Sequence, residues 1–136
     1  MKRWIILLLT CSLTTIYAQK INLKKEKLLV DGKELLSYKK VPNYSEYYFY
    51  TLNTNNELFY IKYDRNGTFE YDGDNFVKIF FTKKGIKVES KSLPFGKSGE
   101  KLIERLFFDG ILTNDGNLNE EKITDFKTKY DDFITK

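Results

Sequence analysis

The sequence predicts an α+β fold in which an antiparallel β-meander comes first and two C-terminal helices pack on one face of its sheet. Three observations predict it. Runs rich in aromatic and β-branched residues fill the first two-thirds, and clusters of Asn, Asp and Gly separate them. Residues 75–82 alternate cleanly between an apolar set, Val77, Ile79 and Phe81, and a mixed one, as a strand does. After Pro94 the apolar spacing changes to three and four, the period of a helix.

The chain opens on Lys2 and Arg3, continues through Trp4–Leu9 as an apolar run, and reaches Ile16-Tyr17-Ala18 after a polar stretch. That order of basic, apolar and small-residue segments is read by signal peptidase, which places a cut between Ala18 and Gln19. The run is far shorter than the roughly 20 apolar residues that cross a bilayer. Leu8-Leu9-Thr10-Cys11 is the alternative, a lipobox that would leave Cys11 acylated, with Thr10 a poor fit before it. Residues 1–18 are thus expected to be a signal peptide, and residues 19–136 a single exported domain, periplasmic or secreted.

Within that domain, Lys27–Val30, Asp31-Gly32 and Lys33–Leu36 read as a hairpin, because Asp-Gly supplies the positive φ angles of a type I′ turn. Val41-Pro42-Asn43 breaks the chain. Ser45–Leu52 and Glu57–Tyr63 follow as partner strands around the polar turn 53–56. Asp64-Arg65-Asn66-Gly67 turns into a short strand, Thr68–Tyr71, and Asp72-Gly73-Asp74 turns again. In 75–82, Val77, Ile79 and Phe81 point one way and Phe76, Lys78 and Phe80 the other. A tight loop at 83–85 would pair Ile86 with Phe81 and Val88 with Ile79.

Two helices complete the chain. The first is capped by Ser98, runs to about Asp109, carries Leu102, Ile103, Leu106 and Phe107 on one stripe, and is ended by Gly110. The second starts at Asn119, with Glu120 and Glu121 in its first turn and Leu118 and Ile123 at the staple positions. Its stripe is Ile123, Phe126, Tyr130 and Phe133.

Composition narrows the chemistry. The chain has no histidine, and its single cysteine lies in the leader. No Ser-His-Asp or Cys-His machine and no His- or Cys-built zinc or copper site can be assembled after cleavage. Without disulfides, the domain must hold together by core packing. Against 23 Lys and Arg stand 19 Asp and Glu, and loss of Lys2 and Arg3 brings the two closer. The lysine pairs sit near predicted strand ends among acids, where they guard sheet edges, so nucleic acid is not an expected partner.

Four motifs bear on chemistry. Gly96-Lys97-Ser98 resembles the end of a phosphate loop, but the required glycine five residues earlier is Lys91. Segments 64–67, 72–75 and 114–117 are rich in oxygen ligands, yet none matches a calcium loop and all suit tight turns. Glu57, Glu70, Asp72 and Asp74 are the carboxylates that a His-free glycosidase would need to bring together. Neither a metal nor a cofactor is expected. The aromatic run is the most suggestive: Tyr44, Tyr47, Tyr48 and Tyr50 form the candidate binding set, facing Phe59, Tyr60 and Tyr63. Alternation sends Tyr48 and Tyr50 to one face and Tyr47 and Phe49 to the other. With helices on one face only, rings remain for an open face, although aromatics are also ordinary strand and core residues.

The Lys/Asn/Tyr-rich composition, the Tyr17-Ala18-Gln19 region and the Val30-Asp31-Gly32-Lys33 hairpin resemble short exported proteins of flavobacteria-like bacteria. The likeness is compositional and brings no functional motif with it. The expectation is a non-catalytic exported binding or interaction module, of inhibitor or immunity type, with another exported or envelope protein as partner. The alternatives are a small Asp/Glu-dependent hydrolase and a structural accessory subunit of an envelope complex.

Overall fold

The computed structural model describes residues 19–65 and 72–135. The leader expected at residues 1–18, with Cys11, the short strand expected at 68–71 and the carboxylate Glu70 lie outside the described residues, as does the side chain of Asp72. The fold is α+β. Seven strands form one antiparallel sheet in chain order: β1 (Ile21–Lys24), β2 (Lys27–Val30), β3 (Lys33–Lys40), β4 (Glu46–Thr51), β5 (Glu57–Asp64), β6 (Phe76–Phe81) and β7 (Ile86–Ser90). Two helices follow, α1 (Glu100–Phe108) and α2 (Glu120–Tyr130).

Turn chemistry explains most of the order. Asp31 and Gly32 hold φ angles of 51° and 82°, both positive as a type I′ turn requires, and they join Val30 to its partner Lys33. Ile86 pairs with Phe81 and Val88 with Ile79, the register that the spacing predicts. β1 is the strand that the sequence does not announce. Lys25 and Glu26 turn it into β2 at φ 51° and 63°, although neither residue favours that region. Beyond β2, the register with β3 slips at Leu28/Leu29, which lets Leu35 and Leu36 both be buried.

One sheet face carries the core. Leu28, Leu36, Phe49, Phe59, Ile61, Ile79 and Val88 are fully buried there, and α1 adds Leu102, Ile103 and Leu106 while α2 adds Ile123 and Phe126. Phe49 stacks on Phe59 at 4.8 Å, and Phe81 meets Phe126 edge-on at 6.2 Å. Each such side chain contributes about 1.5–3 kcal/mol by leaving water. That packing stands in for disulfides.

The helix ends correct two expectations. α1 is capped by Gly99, not by Ser98. Gly99 is buried at φ 80°, and a Cβ there would lie 2.5 Å from Ile61 Cδ1, so the helix start is seated directly on β5. Glu100 then turns back, its carboxylate accepting the Lys97 and Ser98 amides at 3.1 and 2.7 Å. At the other end, Gly110 N bonds Phe107 O and Ile111 N bonds Leu106 O, the Schellman pair. α2 stops at Tyr130, so Phe133 leaves the stripe and is 72% exposed at φ 51°. Asp131 and Asp132 draw the chain out of the helix by bonding the backbone of Glu89 in β7. No helix among the described residues is long and apolar enough to cross a membrane.

Candidate functional site

The sheet face opposite the helices carries a row of rings. Cross-strand register aligns Lys39, Tyr48, Tyr60, Phe80 and Lys87 on β3 to β7, one residue per strand. Alternation puts them opposite Phe49, Phe59, Ile61, Ile79 and Phe81, whose burial under the helices fixes which face stays open. Tyr48 and Tyr60 have ring centroids 5.2 Å apart, and Tyr60 and Phe80 5.4 Å. All three are half-buried by one another.

Charges frame the rings. Lys78 Nζ lies 5.6 Å from the Tyr60 centroid, and Lys39 Nζ lies 5.4 Å from that of Tyr50. The neighbouring row runs Glu46, Lys62, Lys78 and Glu89. Lys62 pairs with Asp64 at 3.6 Å and Lys87 with Glu89 at 3.4 Å. The Tyr48 hydroxyl donates to Glu46 Oε1 at 2.9 Å. Burial, that bond and the negative charge of Glu46 push the Tyr48 hydroxyl up to about 12. Burial and then Glu57 push Tyr50 up as well.

The four candidate tyrosines do not stay together. Tyr48 and Tyr50 are on the open face, half-buried. Tyr47 is 3% exposed and packs on Tyr38 and Phe95 at 6.0 and 6.5 Å, so it belongs to the core and not to the binding set. Its place follows from alternation: it shares the face of Phe49. Tyr44 stands in the β3–β4 loop and is 62% exposed, away from the row. Beside Tyr48 the row holds Tyr60, which the sequence already set facing the run, together with Phe80 and Lys39, and Lys78 stands next to it; these last three lie outside the set built on 44–50. The available signal was the alternation of β5 and β6, which, once the hairpins are in register, puts Tyr60 and Phe80 beside Tyr48.

The other motifs serve the fold. The amides of the Gly96 loop are held by Glu100 within the chain. Asp115 accepts the Thr113 hydroxyl and holds the 113–117 turn, which lowers its carboxyl. Glu57 sits beside Thr82 at one end of the β5–β6 pair and Asp74 precedes β6 at the other, about 25 Å of extended chain away. No group of three or more His, Cys, Asp or Glu side chains able to hold a metal occurs among the described residues. A shallow, open cleft of about 390 Å³ is lined by Gln19, Val30, Asp31, Lys33, Leu35 and Asn114. Across it, Gln19 Nε2 donates to Asn114 Oδ1 at 2.7 Å.

Fold and face together define the class: an α+β protein with one open-faced antiparallel sheet. No protein-family model, no curated protein and no solved structure matches the chain.

Proposed function

We propose that the chain is an exported, non-catalytic binding module that holds another exported or envelope protein against the open face of its sheet, in the manner of an inhibitor or immunity protein. The observation that carries this reading is the Tyr48–Tyr60–Phe80 row on the face that the helices leave uncovered. Rings already fixed by their neighbours offer apolar area and hydroxyls at small entropic cost on binding. Lys39 and Lys78 supply cationic contacts beside them.

The test is affinity capture from the host's exported and envelope fractions, with wild type and with Tyr48→Ala/Tyr60→Ala as bait. A partner retained by wild type and lost with the folded variant supports the reading. Identical profiles, or substrate turnover by the purified protein, would overturn it. Mass spectrometry of the exported product tests compartment separately: a first residue of Gln19 supports export by cleavage, and a lipidated Cys11 replaces it with an anchored form.

A further inference from the structure

β7 is an edge strand, paired with β6 on one side and with no strand on the other among the described residues. Outward backbone groups at Lys87 and Glu89, and the Lys91 amide just beyond, are nevertheless occupied. Lys127 Nζ donates to Lys87 O at 2.8 Å, Glu89 N donates to Asp131 Oδ1 at 3.1 Å, Asp132 N donates to Glu89 O at 2.7 Å, and Lys91 N donates to Asp132 Oδ2 at 2.8 Å. Thr135 then reaches the Glu89 side chain, its amide donating to Oε1 at 2.9 Å while Lys87 Nζ donates to the Thr135 hydroxyl at 2.7 Å. Lys127 of α2 thus covers the Lys87 carbonyl, and the segment after α2 straps the edge at Glu89 and Lys91.

The strap is polar, held by ion pairing and hydrogen bonds rather than by apolar packing. Residues 131–135 form no strand, and most of their bonds to β7 run through side chains rather than a backbone ladder. Phe133, the residue with the most apolar area to offer, is 72% exposed at φ 51°, a conformation that bulky residues rarely adopt. Little apolar burial holds this segment down, which is the signature of a part that opens locally before the rest unfolds.

Beneath the strap, the edge is complementary to itself. Within β7, residues 87 and 89 are the ones whose backbone groups face outward. If two β7 strands pair antiparallel about Val88, Lys87 of each copy stands opposite Glu89 of the other, twice. The outward groups of both strands also meet as hydrogen-bonded pairs. Opposite charges at facing positions stabilise a strand pair, and like charges oppose it. Centring the pair on residue 87 or 89 instead sets Lys against Lys or Glu against Glu. Within β7 the register about Val88 satisfies both charge and backbone, and it has the two-fold symmetry of an isologous dimer.

The geometry points to a latch: residues Asp131–Thr135 are a releasable strap over a self-complementary edge, and its release lets a second copy of this chain pair through β7. This is independent of the open-face reading. In the full chain, Asp132→Ala/Thr135→Ala removes latch bonds from exposed residues. Sedimentation is expected to show monomeric wild type and a doubled mass for the variant. Adding Lys87→Glu is expected to abolish the dimer, and Lys87→Glu/Glu89→Lys to restore it. A folded latch variant that stays monomeric, or a dimer indifferent to both charge changes, would overturn the proposal. Hydrogen exchange on wild type covers the case in which variants fail to fold. The Glu89 and Lys91 amides should exchange well before those of Ile79 and Val88, and joint exchange would refute the latch.

Discussion

Tyr48 and Tyr60 stand directly opposite each other on β4 and β5, their ring centroids 5.2 Å apart, and Glu46 holds the Tyr48 hydroxyl at 2.9 Å. The contact joins packing to polarity. Ring pairing of this kind contributes about 0.5–1.5 kcal/mol beyond area burial, and the hydroxyl bond limits how far the Tyr48 ring can turn. The open face is thus organised by contacts within the chain itself. Phe80 extends the same order to β6.

One consequence is spectroscopic. Tyr48 has its hydroxyl raised from 10.0 to about 12, by burial first and Glu46 second. A folded-state value above the unfolded one contributes stability that is complete below about pH 10 and is lost as pH rises through about 12. Ultraviolet titration should show a late tyrosine ionisation that Tyr48→Phe removes and Glu46→Gln moves to lower pH. An unchanged curve for both variants would contradict the Glu46 contact.

Two neighbouring tyrosines should separate in unfolding experiments. Tyr47 is 3% exposed and Tyr44 62%. Replacing a buried aromatic by Ala costs about 3–5 kcal/mol, whereas surface changes stay within about 0.5 kcal/mol. Urea denaturation should therefore place Tyr47→Ala far below wild type and Tyr44→Ala beside it. Equal midpoints for the two variants would move Tyr47 back out of the core.

The meander and both helices were legible because their signals are local: Asp31-Gly32, the alternation of 75–82, and the stripe from Leu102 to Leu106 each fit within one element. β1 was not, because its turn uses Lys25 and Glu26, which are held at positive φ by the pairing of Leu23 with Leu28 rather than by preference. The Ser98 cap failed for a tertiary reason, the approach of Gly99 to Ile61. For the candidate face, alternation separated Tyr48 and Tyr50 from Tyr47 correctly. The partners Tyr60 and Phe80 come from strands 12 and 32 residues after Tyr48, and only register brings them alongside. The burial of Glu89 was equally invisible, since the residue that covers it, Thr135, lies 46 positions on.

Acid should weaken the domain through that covered carboxylate. Burial opposes the Glu89 charge, but the Thr135 bonds and Lys87 outweigh it and hold its carboxyl below the usual 4.5. Asp131 is likewise lowered from 3.8, burial again opposing and Lys127 with the Phe133 and Glu89 amides prevailing. Lowered folded values give stability that is present above the unfolded ones and lost as pH falls through the folded ones. Urea unfolding of wild type should weaken as pH drops below 4.5, and Glu89→Gln should flatten the slope. Parallel slopes for the two proteins would exclude Glu89 as a source.

The seat of α1 on β5 offers the sharpest test of the packing. Gly99 holds φ 80°, and the Cβ of an alanine there would fall 2.5 Å from Ile61 Cδ1. Left-handed strain costs about 1–2 kcal/mol and overpacking about 1–3 kcal/mol more. Gly32→Ala, at φ 82° with nothing within 4 Å, should show the strain alone. Ile61→Val deletes the clashing methyl and by itself costs about 0.5–1.5 kcal/mol. If the contact is real, Gly99→Ala/Ile61→Val must be more stable than the two single losses added together. Strict additivity in chemical denaturation would mean that the helix start can lift away from Ile61, and that β5 does not fix its position.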